Sequence, residues 1–207
     1  MPDNETTTRV TVRSRPCSFK DIYLAPVTED SGTAYTTGTP VKFARAIKGK
    51  ISDKTTATDL YSDDELEDST YKYEGEIEFE VNALAPQDRA LIFSNLYENG
   101  FLVVNSDDKP PMLAVGYRFR RLNGKYSFAW RYCIKFNQGY DEEHNTEENN
   151  EPKPTTSTLK ATVYRRKKDH RVGIEVDESQ LLAADTDAAA AITSWFTEVQ
   201  ELPVAGD

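Results

Sequence analysis

The fold is decided by residues 112–136, MLAVGYRFRRLNGKYSFAWRYCIKF. Two segments rich in aromatic and aliphatic residues flank Asn123-Gly124, the dipeptide that most strongly favours a two-residue type I′ turn. The stretch therefore predicts a β-hairpin, and taking Leu122 and Lys125 as the residues that flank the turn sets its register.

That register places the largest side chains of the hairpin opposite one another. The predicted cross-strand pairs are Phe119 with Phe128, Tyr117 with Trp130, Val115 with Tyr132 and Leu113 with Ile134. Pairs of this kind contribute roughly 0.2 to 1 kcal/mol each relative to alanine pairs. We expect their common face to form much of the core, through Tyr117, Phe119, Phe128, Trp130 and Tyr132. The alternative, a platform on which nucleic-acid bases stack, is disfavoured by the net charge of -10.

Strict alternation predicts another strand in residues 71–81, YKYEGEIEFEV. Its odd positions are apolar or small, and its even positions are Lys72, Glu74, Glu76, Glu78 and Glu80. Like charges two residues apart on a strand repel one another unless water, salt or basic neighbours screen them. The glutamates therefore form either a solvated outer face or a surface that lines something and has to stay negative.

The second face of the 112–136 hairpin is basic, in an otherwise acidic protein. It carries Arg118, Arg120, Arg131 and Lys135. Opposite charge allows this patch to pair with the glutamate strand, either beside it in the sheet or across a boundary between subunits. The sequence leaves both arrangements open.

The remaining pattern predicts a mainly β (α+β) protein with one or two flanking helices. Further strands are expected over residues 22–27, 41–51, 101–104, 157–166 and 172–176. Pro86 at a first helical position predicts a helix that ends at Asn99-Gly100. A second helix is expected over residues 187–199, where apolar residues follow the i, i+3, i+4, i+7 spacing.

A length of 207 residues fits one domain better than two. We expect an N-terminal arm in residues 1–20, a β-domain in residues 21–200 and a C-terminal tail in residues 201–207. Two polar, acidic stretches, at about 52–70 and 137–157, are predicted to be long loops. Such loops are either functional or simply mobile surface.

Composition excludes several classes of function. A net charge of -10 opposes the wrapping of nucleic acid, which requires a positive surface. The chain has no apolar run long enough to span a membrane, and its start lacks the basic and apolar regions of a signal peptide, so we expect a soluble protein made in a cytoplasm. Cys17 and Cys133 are too isolated to form a disulfide framework or a CxxC motif.

No catalytic motif is present. The P-loop, GxGxxG, GxSxG and HExxH patterns are all missing, and His144 and His170 have no ligand set with zinc spacing. Paired carboxylates such as Asp63-Asp64 and Glu142-Glu143 would suit a glycosidase, but with 35 acidic residues some pairs fall close together by chance. We therefore expect a protein that is not an enzyme and that needs no cofactor or metal.

The order of several short segments is similar to that in a known family. The segments are 21–29 (DIYLAPVTE), 39–41 (TPV), 58–64 (TDLYSDD), 106–111 (SDDKPP), 114–117 (AVGY), 123–126 (NGKY) and Trp195-Phe196. Together they resemble the major tail protein family of long, noncontractile-tailed bacteriophages, from about Asp21 to about Phe196.

The resemblance implies an antiparallel β-sandwich or half-barrel that closes into a hexameric ring, with rings stacked into a tail tube through which genome DNA passes. It implies a virion protein whose partners are itself, the tape measure protein and the tail terminator and distal tail proteins. It also implies that the long loop and the terminal arms reach neighbouring rings. The N-terminal arm is longer than is usual in the family, which leaves its role open.

Two surfaces follow as hypotheses. Glu74, Glu76, Glu78 and Glu80 are predicted to face the channel, where a negative wall would keep DNA from binding. The acidic loop, through Asp59, Asp63, Asp64 and Glu65, is predicted to lie at contacts between rings. The alternatives are a related tail-completion or capsid-decorating protein, and a free β-sandwich module that binds a carbohydrate or a protein.

Overall fold

Antiparallel β-strands dominate the computed structural model, which describes residues 11–62, 65–137, 139 and 155–203, and of residues 57–71 only the main chain. The strands are β1 (Pro16–Asp30), β2 (Tyr35–Thr37), β3 (Val41–Lys42), β4 (Ala46–Ser62), β5 (Glu65–Val81), β6 (Leu96–Glu98), β7 (Phe101–Val103), β8 (Leu113–Arg121), β9 (Tyr126–Phe136), β10 (Ser157–Tyr164) and β11 (Gly173–Asp177). The helices are α1 (Pro86–Phe93) and α2 (Thr186–Thr193), and a 3₁₀ turn spans Glu178–Gln180. The predicted mainly β fold with two helices is confirmed.

Nine strands form one sheet in the order β2-β1-β8-β9-β10-β5-β4, with β3 beside β1 and β11 beside β9. β1, next to one end of the sheet, approaches β4 at the other end, because a Cβ placed on Gly49 of β4 would lie 2.8 Å from the ring of Phe19 of β1. Phe19 also packs against Phe79 of β5, with ring centroids 5.9 Å apart. The sheet is therefore curled, and its concave face holds the main hydrophobic core.

The turn between β8 and β9 differs from the predicted type I′ turn. Arg121 N–H donates to the carbonyl of Lys125 at 2.8 Å, and Gly124 N–H donates to the carbonyl of Arg121 at 3.0 Å. Gly124 has φ +85°. This is a three-residue loop, a common hairpin connection that ends in a glycine with positive φ. The extra residue shifts the register by one, so Tyr117 pairs with Ala129 and Phe119 with Ser127.

A one-residue shift turns side chains to the opposite face of the sheet. Tyr117 and Phe119 lie on the concave core, whereas Phe128 and Trp130 pack on the other face against Trp195. Tyr132 is buried beside Tyr35. The predicted single aromatic face is wrong, although four of the five residues are buried and Phe119 is half-buried. A bulge between Leu113 and Val115 restores the predicted pair of Leu113 with Ile134.

A two-residue hairpin turn occurs instead at the other Asn-Gly sequence. Asn99 and Gly100 have φ of 50° and 82° and join β6 to β7, where Glu98 pairs with Phe101. Two positive φ angles are the signature of a type I′ turn. The predicted helix end at this position is therefore wrong, because α1 already ends at Phe93, where Ser94 takes a left-handed conformation with φ 58°.

The predicted long loop at 52–70 is also wrong, because β4 and β5 pair along most of this segment. Register partners run from Ala46 with Val81 out to Ser62 with Glu65. The sequence contains no glycine or proline between Gly49 and Gly75, and its threonines favour strands. The lack of glycine and proline and the presence of threonine therefore favoured two paired strands. The many acidic residues led instead to the prediction of a loop.

The terminal regions differ from the prediction where they are described. Residues 16–20 of the predicted arm belong to β1. The predicted helix over 187–199 ends at Thr193, and tight turns follow, with Trp195 N–H donating to the carbonyl of Ile192 at 3.4 Å. Residues 1–10, 138, 140–154 and 204–207, parts of the predicted arm, loop and tail, lie outside the described residues.

Candidate functional site

The glutamate strand occupies the middle of β5, between β4 and β10. Ile77, Phe79 and Val81 are completely buried in the core. The intervening glutamates lie on the other face of the sheet, where Glu74 and Glu76 are exposed and Glu78 and Glu80 half-buried. The predicted alternation is confirmed for residues 72–81.

Both strands beside β5 place basic or hydroxyl side chains next to the glutamates. On β4, Lys48 pairs with Glu80, Lys50 with Glu78, Ser52 with Glu76 and Lys54 with Glu74. On β10, Thr158 pairs with Glu80, Lys160 with Glu78 and Thr162 with Glu76. Directly paired residues point to the same face, so three lysines of β4 and Lys160 of β10 flank the glutamate row. The ammonium of Lys160 lies 3.8 Å from the carboxylate of Glu78.

The glutamate face is consequently close to electrically balanced over β4, β5 and β10. Sequence analysis missed these lysines because their position depends on which distant strands flank β5. Much of the acidic excess lies elsewhere in the sequence, including six carboxylates within residues 140–154.

The arginines of the β8–β9 hairpin do not lie beside the glutamates within the sheet, since neither strand is adjacent to β5. Arg118 instead forms an ion pair with Asp21, with an Nη2–Oδ2 distance of 2.6 Å, and Lys42 contacts the same carboxylate at 3.0 Å. Burial raises the pKa of Asp21, but hydrogen bonds from Lys42 and Arg118 outweigh that effect and hold the pKa below its usual value. This network fixes β1 against β8 and β3.

Arg131 lies on the concave side and anchors the base of the β4–β5 hairpin. Its Nη2 contacts Asp53 at 2.8 Å and Glu175 at 3.4 Å. The hydroxyl of Tyr73 also donates to Asp53. Burial, followed by this hydrogen bond, raises the pKa of the Tyr73 phenol. The cluster connects four strands, β4, β5, β9 and β11, at the level where β10 stops pairing with β5.

Beyond that level the hairpin projects from the sheet. β10 pairs with β5 only from Gly75 to Val81, whereas β4 and β5 remain paired as far as Ser62 and Glu65. At about 3.3 Å per residue the two-stranded ribbon extends roughly 30 Å past the sheet. Asp59 and Glu65, predicted at ring contacts, lie in its outer half, and Asp63 and Asp64 lie outside the described residues.

Two further surfaces expose groups of the kind that usually contact a partner: the outer edge of β4 and the β6–β7 hairpin. β4 has no hydrogen-bonded strand on its outer edge among the described residues. A cleft of about 730 Å³ separates this edge from β1 and is lined in part by Phe19, Ile47 and Phe119. The β6–β7 hairpin is a separate two-stranded sheet that exposes apolar side chains, including Phe101, which is 72% exposed.

A third charged cluster joins the C-terminal segment to the turn after β10. Arg166 has a fully buried side chain that contacts Asp169 and Glu201, and its guanidinium lies 4.2 Å from the centre of the Tyr132 ring. Burial raises the pKa of Tyr132 to about 12. Nearby, burial raises the pKa of the Cys133 thiol to about 12, with Asp30 adding to the effect. Arg166, Tyr132 and Cys133 are held in place by packing, as is typical of a network that stabilises the fold.

The described residues contain no group of three or more histidine, cysteine, aspartate or glutamate side chains placed to hold a metal ion. Among them there is also no helix that is both long and apolar enough to cross a membrane. What these residues offer instead is surface for contacts: a projecting ribbon, an open sheet edge, an apolar hairpin and a charged face.

No protein-family model and no curated protein matches this chain.

Proposed function

We propose that this protein is the structural subunit of a bacteriophage tail tube, assembling with copies of itself into hexameric rings that stack around a channel for genome DNA. The observation that carries the proposal is the β4–β5 ribbon. An isolated two-stranded ribbon is marginally stable in water, so a ribbon of this length is expected to pack against another surface. A neighbouring subunit supplies such a surface.

The open edges of the sheet support the same conclusion. A strand edge presents unpaired N–H and C=O groups that pair readily with another chain. Within the part of the chain that the structure describes, β4 presents such an edge over Ala46–Ser62, while β2 and β3 lie at the opposite side of the sheet. Joining unlike edges of successive copies generates a ring when the rotation closes. The exposed β6–β7 hairpin offers apolar contact area of the kind that marks interaction sites.

Under this proposal the face that carries Glu74, Glu76, Glu78 and Glu80 lines the channel. DNA binding gains its free energy when cationic side chains displace counterions from phosphate. On this face the lysines of β4 and β10 stand beside carboxylates, which compete with phosphate for them. A balanced wall of this kind holds DNA weakly. The further partners would be the tape measure, terminator and distal tail proteins, and the location would be the virion.

Electron microscopy of the purified chain tests the proposal. We expect six-fold rings or tubes at high protein concentration. In a truncated variant, an Asn-Gly dipeptide replaces residues 57–71 and joins Thr56 to Lys72, which are cross-strand partners. This variant should keep the circular dichroism and unfolding temperature of the full chain but no longer stack.

A matched control removes the equally long acidic segment 140–154 and replaces it with a short glycine-serine linker. We expect this control to retain rings. A full-length chain that stays monomeric at high concentration would contradict the proposal, and so would a truncated variant that forms tubes as readily as the full chain. Rings that never stack would instead favour a tail-completion protein.

A further inference from the structure

The β6–β7 hairpin presents one mainly apolar face to solvent. Leu96 pairs with Val103 and Glu98 with Phe101, so these four side chains lie on the same face of the hairpin. All four are exposed, and three of them are large and apolar. Large apolar side chains that are grouped on a surface mark a site of contact with a partner. Glu98 is the single charge on this face.

The hairpin is held in place on its other side. The side-chain amide of Gln87, on α1, donates to the hydroxyl of Tyr97 at 3.2 Å. The Asp108 carboxylate joins the two ends of the hairpin, since it accepts from the side-chain amide of Asn95 at 2.8 Å and from the N–H of Asn105 at 2.9 Å. A surface that is ordered beforehand loses less conformational entropy on binding. The apolar face therefore has a fixed orientation before a partner binds.

The cleft between β1 and β4 is complementary to this face in polarity and charge. Its volume is about 730 Å³, and its lining includes four large apolar residues, which are Phe19, Ile47, Ile51 and Phe119. Lys20 and Lys48 also line the cleft, one from each strand, and both are exposed. Among the described residues, neither β4 nor residues 16–20 of β1 pair with a strand on the side toward the cleft. Such open edges favour contact with another chain.

Charge distinguishes this pairing from the contact of two hairpins with each other. Two apolar hairpin faces packed together would bring Glu98 of both copies into one contact, where like charges repel. The cleft instead offers Lys20 and Lys48 to the carboxylate and an apolar lining to Phe101. A contact between unlike surfaces leaves a hairpin free on one copy and a cleft free on the other, so it can continue into a ring or a filament.

We infer that the β6–β7 hairpin of one copy docks in the β1–β4 cleft of a second copy of this chain. Phe101 packs against the apolar lining of the cleft, and Glu98 lies beside Lys20 and Lys48. The inference rests on the proposed self-assembly and deepens it, because it names the two surfaces that form a contact between subunits.

Chemical crosslinking of the full chain tests the inference, because Cys17 is exposed and lines the cleft whereas Cys133 is buried. Phe101→Cys, treated with a short bismaleimide, should give a ladder of covalent oligomers that disappears when Cys17→Ser is added. Leu202→Cys, at an exposed apolar position outside both surfaces, is the control. It should give at least about tenfold less oligomer, since docking raises the local concentration of only the paired thiols.

Three results of this crosslinking experiment would overturn the inference. Dimers that persist in the Cys17→Ser background would show that two hairpins contact each other. A product linked only within one chain would show that the hairpin reaches its own cleft. Absence of oligomers from Phe101→Cys under conditions in which the unmodified chain assembles would show that the hairpin and the cleft do not meet.

A second measurement does not depend on cysteine chemistry. Phe101→Ser should raise the protein concentration needed for assembly at least about tenfold, as expected for a central aromatic residue of an interface, and Leu202→Ser should change it less than about twofold. Glu98→Lys should also weaken assembly, and adding Lys20→Glu should restore part of it. Assembly that is unchanged by both Phe101→Ser and Glu98→Lys would overturn the inference.

The outcomes separate this inference from the proposed function. If the unmodified chain forms stacked rings and Phe101→Ser forms them equally well, the docking contact is wrong and the tail-tube proposal stands. If the crosslinked ladder forms but rings never do, the contact is right and the tail-tube proposal is wrong. A full chain that stays monomeric at high concentration would overturn both.

Discussion

Arg166 and Asp169 form a two-pronged ion pair in which the guanidinium Nε and Nη2 each lie 2.7 Å from a carboxylate oxygen. The Arg166 side chain has no exposed surface. Its Nη1 also contacts Glu201, 2.9 Å away, so one buried cation joins the 166–169 turn to the C-terminal segment. Paired geometry of this kind fixes orientation as well as charge.

Replacing Asp169 with asparagine should destabilise the fold by about 2 kcal/mol, the scale of hydrogen bonds to charged groups, while Glu201 continues to compensate part of the Arg166 charge. Urea unfolding at pH 7 measures this change. Glu198→Gln removes an exposed carboxylate three residues before Glu201 and should alter stability by less than about 0.5 kcal/mol. Equal effects of the two substitutions would show that the buried pair contributes little.

The Asp169 carboxylate also makes the free energy of unfolding depend on pH. Hydrogen bonds from Arg166 lower the pKa of Asp169 well below its ordinary value. A group with a depressed folded-state pKa stabilises the protein above its unfolded pKa, and the contribution is lost as pH falls toward the folded value. Stability should therefore decrease as pH drops below about 4. Asp169→Asn should show a smaller decrease over that range, and parallel pH profiles would contradict this assignment.

The charge pattern around β5 predicts that a second substitution should restore part of the stability lost through a first one. Glu78 lies between Lys50 and Lys160, so Glu78→Lys places like charges side by side and should cost about 1 kcal/mol. Adding Lys50→Glu should restore about half of this loss, as measured by urea unfolding. The control pair, Glu78→Lys with Lys125→Glu on the β8–β9 turn, should show no rescue. If Lys50→Glu and Lys125→Glu both restored stability, the effect would come from the net charge of the protein and not from the pairing of Glu78 with Lys50.

Gly116 of β8 packs so closely against Trp130 of β9 that a larger residue at this position should destabilise the fold. A Cβ on this residue would lie 2.6 Å from the Trp130 ring. Because Trp130 is fully buried and has little room to move, Gly116→Ala should destabilise the fold by about 2 kcal/mol. At Gly32 nothing lies within 4 Å of an added Cβ, so Gly32→Ala is the matched control and should be nearly neutral. Thermal or urea unfolding distinguishes the two.

Local alternation predicted the outward row of Glu74–Glu80 and the buried set of Ile77, Phe79 and Val81, because neighbouring residues on a strand point to opposite faces wherever the strand lies. It also predicted a hairpin centred on residues 112–136. The turn itself was not determined locally. Two Asn-Gly sequences occur, and one forms the two-residue turn while the other forms a three-residue loop.

Only the tertiary structure decided which residues each face of a strand contacts. The register of β8 with β9, held by β1 and β11 on either side, separates Tyr117 from Trp130 onto opposite faces. The partners of the glutamates come from Lys50 and Lys160, which are separated by more than a hundred residues in sequence. A sequence pattern fixes the direction of a side chain relative to its own strand, but strand order, which brings distant residues together, depends on the free energy of the whole sheet.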